Sequence, residues 1–467
     1  TGTDEHGLKI QKAAEKNGKK PLAYCDEISE IFRELTKKLN LSNDDFIRTT
    51  EKRHSKAVSD IWNRLVKSGD IYLSKYKGWY SVSDEAYYNQ DEIVEKNGKK
   101  FSTFSGSQVE WVEEESFFFK LSAWEKKLLE FYNNNEKFIL PLSRKNEVIN
   151  FVKSGLKDLS VSRTSFTWGI KVPNNEKHVI YVWLDALTNY LSALNYPDIK
   201  NELYKNFWPA SLHVIGKDIL RFHAIYWPAF LLAAGLKPPQ RVFGHGWILS
   251  GEEKMSKSKG NILNPLEIIK NYGIDALRYY LMKEVSHGSD GSISLKSLEN
   301  CINSDLANNY GNLCQRVFSF IKTNCNNTVI RDKKLSDADK KLLKSTDELT
   351  IKLRNKMENQ ELNDYIKSVI EISFLTNKYI NDEEPWKLKK DNVAKMNNIL
   401  HIAVEQIAKI SILLNPIIPE ATKKVLNGLN IKDKQINLSF LDGKKAIPEK
   451  ITIQSPNILF KKITNDN

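Results

Sequence analysis

The stretch Leu212-His213-Val214-Ile215-Gly216-Lys217-Asp218 is a short apolar run that ends in a glycine and two charged residues. Two similar runs are Val179-Ile180-Tyr181-Val182-Trp183 and Arg241-Val242-Phe243-Gly244. Their length and nearly continuous apolar character predict strands that are buried in a parallel sheet. Upstream, the spacing of apolar residues predicts helices over 8–17, 23–39 and 51–67, with a short strand at 46–50. This alternation indicates a doubly wound, Rossmann-type α/β domain.

The pattern changes in two places along the chain. From residue 69 to about 115 it becomes aromatic and β-like, as in Gly78-Trp79-Tyr80-Ser81-Val82, with a turn at Lys96-Asn97-Gly98-Lys99. We expect a small β-rich insertion between two halves of the α/β domain. After about residue 300 the strand signals stop, and amphipathic helical patterns run to about residue 429, most clearly over 400–414. The last part is therefore predicted to be a helical bundle.

The composition limits the class of protein. With 467 residues the chain is too long for one core. Its 70 Lys and Arg against 58 Asp and Glu give a net charge of +12, which favours a polyanionic partner such as nucleic acid. The four cysteines show no CxxC pair, which argues against a disulfide scaffold and for a reducing compartment. The longest uncharged apolar run, 224–236, is shorter than the ~20 residues that span a bilayer.

The segment Lys254-Met255-Ser256-Lys257-Ser258 is followed by Lys259-Gly260-Asn261. Two lysines three positions apart, beside small hydroxyl residues and a glycine, form a cationic loop suited to a polyphosphate whose charge increases during reaction. Formation of an adenylate requires this chemistry. An isolated KxxK pair would more often be a solvated loop.

Seven sequence blocks occur in the order found in methionyl-tRNA synthetases, which are class I aminoacyl-tRNA synthetases. The similarity covers residues 1 to about 420. The blocks are TGTDEHG from Thr1, FIRTTEKRH from Phe46, YVWLDALTNYLSAL from Tyr181, HVIGKDILRFHAIYWP from His213, KMSKSKGN from Lys254, DALRYYL from Asp275 and DLANNYGNLCQR from Asp305. The chain thus resembles this family along most of its length.

The resemblance implies a methionine site. A flexible thioether needs apolar and aromatic walls, with polar groups at the amino-acid end. The side-chain pocket would be formed by Trp183, Ala186, Leu187, Tyr190, Ile219, His223 and Trp227. Asp4 would accept hydrogen bonds from the substrate ammonium. Without the resemblance, the aromatic residues would be read as core, and Leu187 stands where bacterial relatives can carry proline.

The resemblance also implies an ATP site. Gly216 would allow the backbone to approach the nucleotide, and Asp218 would bind the ribose hydroxyls. Lys254 and Lys257 would contact the phosphates and stabilise the transition state as the methionine carboxylate attacks the α-phosphorus. ATP would bring Mg²⁺, held mainly by phosphates and water. The reaction needs no covalent enzyme intermediate and no protein base.

A tRNA site is implied in the helical domain. Asn312, Arg316 and Trp386 would read the CAU anticodon of initiator and elongator tRNA(Met), since single-stranded bases are bound by stacking and by hydrogen bonds to their edges. The alternative reading places Trp386 in the core of the bundle.

Two family features are absent from the sequence. The first class I signature, His-Ile-Gly-His, precedes the TGTDEHG block in relatives and does not occur here, so we expect the chain to lack its extreme N-terminus and its activity to depend on that segment. Many relatives also carry cysteine knuckles in the insertion. Here Ser81 and Asp84 stand at the corresponding positions, and we predict no structural zinc because serine is a poor ligand. Packing of Trp79, Tyr80 and their neighbours would hold the insertion instead.

We therefore predict a methionine–tRNA ligase that acts in the cytoplasm as a monomer, with an organellar location left open. Alternatives are another class I synthetase of the Ile, Leu, Val or Cys type, a non-catalytic tRNA-binding paralogue, and a small-molecule adenylyltransferase. The insertion is too short for a large hydrolytic editing domain. The predicted division is 1–68 and 166–249 for the two parts of the catalytic domain, 69–165 for the insertion, 250–300 for the KMSKS loop and stem-contact region, 301–435 for the anticodon-binding domain and 436–467 for the tail.

Overall fold

The computed structural model describes residues 1–84, 86–88, 90–250, 253–254, 263–285, 288–332, 334–441 and 445–464. The chain forms two compact units, Thr1–His245 and Gly246–Asn467. Among the described residues, none of the helices has both the length and the apolar character needed to cross a bilayer.

The first unit is mixed α/β. Its helices are α1 (Leu8–Lys16), α2 (Pro21–Lys38), α3 (Lys52–Lys67), α4 (Glu125–Asn134), α5 (Leu142–Lys153), α6 (Val182–Ser192), α7 (Glu202–Phe207) and α8 (Trp227–Ala233). Its strands are β1 (Gly2–Thr3), β2 (Ile47–Arg48), β3 (Ile71–Ser81), β4 (Ala86–Tyr88), β5 (Ile93–Lys96), β6 (Lys99–Ser102), β7 (Glu110–Phe119), β8 (Ile139–Leu140), β9 (Leu159–Ser160), β10 (Ser162–Arg163), β11 (Lys171–Val172), β12 (Asn175–Ile180), β13 (His213–Gly216) and β14 (Val242–His245). The three upstream helices and strand β2 are where the sequence predicts them.

Two of the three predicted parallel strands are confirmed. Strands β13 and β14 pair in parallel, and β8 adds to β14 in the same sense. Residues 139–140 of the predicted insertion thus belong to the parallel sheet. The third prediction, a parallel strand over Val179 to Trp183, is wrong. Strand β12 ends at Ile180 and pairs antiparallel with β10 and β11, and helix α6 begins at Val182 because Leu184, Leu187 and Leu191 share one buried face.

The insertion is built on an antiparallel sheet with the order β4-β3-β7-β9. Strands β3 and β7 pair from Ile71–Phe119 to Tyr80–Glu110. The separate hairpin of β5 and β6 turns at Asn97 and Gly98, which have φ values of 52° and 71°. Two successive positive φ angles define the tight hairpin turn that an Asn-Gly pair favours, so the predicted turn is confirmed.

The second unit contains the bundle. Its helices are α9 (Pro265–Tyr272), α10 (Ile274–Glu284), α11 (Leu295–Cys301), α12 (Asn312–Asn324), α13 (Asp337–Glu358), α14 (Leu362–Glu383), α15 (Val393–Leu414) and α16 (Pro419–Gly428), and its strands are β15 (Ile248–Ser250), β16 (Glu253–Lys254), β17 (Gly291–Ile293), β18 (Thr328–Ile330) and β19 (Lys450–Thr452). Helix α15 is buried from Asn398 to Leu414. The expectation of no strand after residue 300 is wrong, because β18 and β19 form a short antiparallel ladder.

Candidate active site

Helix α6 carries four of the predicted pocket residues. Ala186 and Leu187 are buried, whereas Trp183 and Tyr190 are partly exposed. The indole of Trp183 stacks on Phe222, with the ring centroids 3.8 Å apart and the planes inclined by 11°. The four side chains therefore come from one helix rather than from a strand end and a turn, and Leu187 lies within the apolar core of the unit.

Ile219, His223 and Trp227 were predicted on one face of a regular helix, and this prediction is wrong in its geometry. Ile219 ends a 3₁₀ turn, His223 lies in a π-helical turn over Phe222–Tyr226, and Trp227 begins α8. A π turn admits one extra residue and is often found at functional sites. It allows His223 to face Tyr190 while Trp227 is fully buried.

The hydroxyl of Tyr190 lies 2.8 Å from His223 Nε2. His223 Nδ1 is 3.0 Å from the carbonyl oxygen of Ile219, which only accepts, so Nδ1 carries the proton. In neutral His223, Nε2 is then the acceptor and the Tyr190 hydroxyl is the donor. This relay fixes the direction of the Tyr190 O–H bond. Burial raises the pKa of Tyr190 to about 12 and lowers the pKa of His223 to about 4, so both groups are neutral near pH 7.

Behind Tyr190 lies His213, the first residue of β13. Its ring is stacked on the phenol of Tyr190 and lies edge to face with His223, with the centroids of the two imidazoles 6.3 Å apart. Burial, with a smaller contribution from His223, lowers the pKa of His213 to about 3. Within the described part of the chain, neither nitrogen of His213 has a hydrogen-bond partner, nor does Trp227 Nε1. The aromatic cluster is thus uncharged. It contains buried polar nitrogens without hydrogen-bond partners among the described residues, which is unusual for a protein core.

At the other end of β13 lie Gly216 and Asp218. Asp218 is exposed in the 3₁₀ turn that follows the strand. A Cβ atom at Gly216 would lie 2.5 Å from Asp218 Oδ1, so a larger residue would have to displace this carboxylate. The carboxyl end of a parallel strand in an open α/β sheet is where nucleotide ligands are commonly bound.

The two predicted phosphate-binding lysines lie in the second unit. Lys254 closes strand β16, where it pairs with Leu249 of β15. Its side chain and the whole of Lys257 lie outside the described residues.

A buried charged network lies beside the segment that carries Asp4. His6 Nδ1 is 2.7 Å from Asp185 Oδ2, and His54 Nε2 is 2.6 Å from Asp185 Oδ1. Burial opposes the ionised form of Asp185, but the two imidazoles outweigh it and lower its pKa to about 2. Burial likewise opposes protonation of His6, yet the Asp185 carboxylate raises its pKa. The network thus holds an ionised carboxylate between two imidazoles in the core of the unit.

Two of the predicted anticodon residues lie at one groove in the second unit. Arg316 of α12 and Trp386, in the 3₁₀ turn after α14, line a groove of about 380 Å³ with Phe320 and Pro385. Trp386 is 38 % exposed, so it is not a core residue. Arg316 Nη2 donates to Asn381 Oδ1 over 2.8 Å. Asn312 lies one helical turn earlier and is not among the described lining residues.

In the insertion, Asp84 accepts hydrogen bonds from Tyr88 and Ser107, each 2.8 Å long, and Ser81 Oγ accepts from the Asp84 amide at 3.2 Å. Burial opposes ionisation of Asp84, but the hydroxyl donors outweigh it and lower its pKa. Hydrogen bonds therefore hold this turn in addition to the predicted aromatic packing, in which Trp79 meets Trp111 edge to face. Among the described residues, no cluster of three or more His, Cys, Asp or Glu side chains suits a metal.

The sequence predictions gave no role to His213, Phe222, Asp185 or the two imidazoles that bind Asp185. Each lies within or beside a block that resembles the family, but the contacts join residues up to 179 positions apart. No local pattern reports such pairings.

Comparison of the sequence with protein families agrees with this architecture of an α/β unit followed by a helical bundle. Residues 1–318 match the family described as tRNA synthetases class I (M), which places the chain among the class I synthetases. Residues 329–467 match the anticodon binding domain of methionyl tRNA ligase.

Individual relatives agree. A methionine–tRNA ligase from Brucella suis is 49 % identical over 92 % of this chain and 84 % of its own length, and one from Rickettsia felis is 46 % identical over 100 % and 91 %. The crystal structure of Mycobacterium tuberculosis methionyl-tRNA synthetase bound by methionyl-adenylate is 40 % identical and superimposes with a TM-score of 0.95, covering 99 % of this chain and 91 % of that one. The chain belongs to the methionyl-tRNA synthetase family.

Proposed function

We propose that this chain activates L-methionine with ATP to methionyl-adenylate and pyrophosphate, and then transfers the methionyl group to the 3′ end of tRNA(Met). The ligase activity and its substrates methionine, ATP and tRNA follow from family membership. We assign residues to each step from the geometry within each unit.

The observation that supports the amino-acid site is the neutral hydrogen-bond relay from Tyr190 through His223 to the carbonyl oxygen of Ile219. Aromatic rings surround this relay. A methionine side chain has no charge and one weak acceptor, so a buried pocket of neutral donors and apolar walls suits it and rejects charged side chains. Trp183, Ala186, Leu187, Ile219 and Trp227 complete these walls. Asp4 is exposed and lies two residues before His6, whose imidazole binds Asp185 of α6. We assign Asp4 to the substrate ammonium.

For ATP we assign Gly216 and Asp218 to the nucleoside, and Lys254 and Lys257 to the phosphates. Mg²⁺ would bind with ATP, coordinated by phosphate oxygens and water. The protein then accelerates adenylate formation by holding the carboxylate in line with the α-phosphorus and by placing positive charge where negative charge develops.

For tRNA we assign the groove of Arg316 and Trp386, with Asn312 one turn away, to the CAU anticodon. The groove combines an exposed indole, on which a base can stack, with a guanidinium already oriented by Asn381. A monomeric state and a cytoplasmic location remain predictions from the sequence.

Amino-acid-dependent ATP–pyrophosphate exchange tests the activation step on the full-length protein, with Met, Leu, Ile, Val and Cys as substrates. We expect exchange with Met and about 10-fold to 200-fold less with the others, since one misfit group in such a pocket costs about 1–3 kcal/mol. Exchange with another amino acid would assign the chain to a sibling enzyme. No exchange, with intact tRNA binding, would leave the non-catalytic paralogue.

A further inference from the structure

Asp4, Glu5 and His6 follow β1 in succession, and only Asp4 is exposed. Glu5 accepts two hydrogen bonds from the Arg48 guanidinium, 2.7 and 2.9 Å long. His6 donates to Asp185 over 2.7 Å. The two residues that follow Asp4 are thus fixed by charge-assisted hydrogen bonds, which are stronger than neutral ones. The position of Asp4 is set by these two anchors.

The protons in the Asp185 network follow from its acceptors. Ser192 Oγ lies 3.0 Å from the carbonyl oxygen of Thr188 and 2.9 Å from His54 Nδ1. The ionised Asp185 carboxylate only accepts, so His54 Nε2 is the donor of the 2.6 Å hydrogen bond to Asp185 Oδ1. The carboxylate of Asp185 is thus fully buried, with one oxygen bound to His6 and the other to His54.

This network joins two elements of the amino-acid site to helix α3. Asp185 precedes Ala186 on α6, His54 belongs to α3, and His6 belongs to the segment of Asp4. The segment is also held by the residue pairs Gly2–Ile47 and Thr3–Arg48, and Glu5 donates its amide to Thr49 Oγ1 over 2.9 Å and accepts from Trp168 Nε1 over 2.6 Å. The hydrogen bond from His6 to the Asp185 carboxylate joins this segment directly to α6.

We propose that Asp185 is a positioning residue which, through His6, fixes Asp4 relative to the pocket side chains of α6 and thereby sets how tightly the ammonium group of methionine is bound. The proposal rests on the proposed function, in which Asp4 binds that ammonium. The Asp185 side chain is fully buried, so it acts through His6. A residue that only supported the core would affect the binding of every part of the substrate alike.

The test is Asp185→Asn, which keeps the shape of the side chain and removes its charge. Calorimetry measures the dissociation constants of three ligands: methionine, methioninol, which keeps the amine and lacks the carboxylate, and 4-(methylthio)butanoate, which lacks the amine. We expect methionine and methioninol to bind about 10-fold to 100-fold more weakly to the variant, as expected for a lost hydrogen bond to a charged group. Binding of 4-(methylthio)butanoate and the KM for ATP stay within about twofold. An equal loss for all three ligands overturns the proposal.

Asp339→Asn is the matched control. Asp339 is a buried aspartate of the second unit that accepts from Tyr379 and Asn398 over 2.6 and 2.8 Å. The same substitution there should lower stability without changing methionine affinity. The double variant Asp4→Asn with Asp185→Asn should bind methionine no more weakly than Asp4→Asn alone, because Asp185 acts through Asp4. Additive losses would contradict the proposal.

If Asp185→Asn does not fold, His6 gives a second test. The amide of His6→Asn can donate to Asp185 from about the place that His6 Nδ1 occupies, whereas His6→Ala has no donor. We expect His6→Asn to retain more methionine affinity than His6→Ala, with 4-(methylthio)butanoate unaffected by either change. Equal losses in both variants overturn the proposal. Failure of the proposed function is a separate result, since the unmodified protein would then show no methionine-dependent exchange.

Discussion

The imidazole of His213 lies against the phenol of Tyr190, with ring centroids 3.9 Å apart and planes inclined by 23°. The contact joins the start of β13, an edge strand of the three-stranded parallel sheet, to the last turn of α6. Because the hydroxyl of the same Tyr190 donates to His223, the stack holds the ring that orients the relay. The aromatic cluster thus links the sheet to the proposed methionine pocket through ring packing.

Two substitutions of His213 distinguish the effect of its stacking on Tyr190 from the effect of its ring nitrogens. His213→Phe keeps the ring, and we expect its KM for methionine to remain within about twofold of the unmodified protein. His213→Ala removes the stack and should raise that KM about 3-fold to 10-fold, since an aromatic pair contributes about 0.5–1.5 kcal/mol. Pyrophosphate exchange at varied methionine and at varied ATP measures both effects. A comparable rise in both variants would show that the nitrogens matter.

Acid should destabilise the first unit through its buried neutral histidines. The pKa of His213 is lowered to about 3 and that of His223 to about 4 by burial, whereas in the unfolded chain both lie near 6.5. Below pH 6.5 the unfolded state binds protons that the folded state does not, so stability falls as pH falls toward 4. Melting temperatures at pH 7.5 and 5.0 should differ more for the unmodified protein than for His213→Phe. An identical pH dependence would contradict this expectation.

Lys257→Ala should impair the chemical step of activation. Loss of a cation that stabilises developing phosphate charge lowers kcat by about 100-fold to 1,000-fold, while ground-state methionine binding is unaffected. Steady-state exchange kinetics give kcat and the KM for methionine separately. Lys259→Ala, which changes a lysine outside the assigned pair, is the control and should lower kcat far less. Equal losses in the two variants would count against the assignment of Lys257.

Trp386→Ala should weaken tRNA binding selectively. Stacking of a base on an aromatic side chain contributes about 1–3 kcal/mol, so the KM for tRNA in aminoacylation should rise about 5-fold to 100-fold, with methionine-dependent exchange unchanged. Phe374→Ala is the matched control, because Phe374 is 63 % exposed on α14 and does not line the groove. Equal effects of Trp386→Ala on the KM values of tRNA and methionine would argue for a merely structural role.

Asp84 should stabilise the insertion without a metal. Asp84→Ala removes the acceptor of Tyr88 and Ser107 and should lower the melting temperature by several degrees. Asp91→Ala, at an exposed position of the insertion, should change it little. Elemental analysis should find far less than one equivalent of zinc, and a chelator should leave the melting temperature unchanged. One equivalent of tightly bound zinc would show that the metal prediction is wrong.

Particular elements show how far the sequence could be interpreted. The strands at His213 and Val242, the hairpin turn at Asn97 and Gly98, and the long helix α15 follow from local periodicity and turn chemistry, so they were predictable. Helix α6 was not fully predictable, because an apolar run of five residues fits a buried strand as well as a buried helix. The π turn at Phe222 was missed because the spacing of Ile219, His223 and Trp227 matches that of a regular helix.

The sequence by itself determined the family, because seven ordered blocks carry chemistry that local residue types reveal. It also determined the α/β order and the helical bundle, since hydrophobic periodicity is a local property. Only the tertiary structure decided that Asp185 holds His6 and His54 together and that His213 lies behind Tyr190. These contacts join residues that are far apart in the chain, and their energies depend on burial, which the fold alone creates.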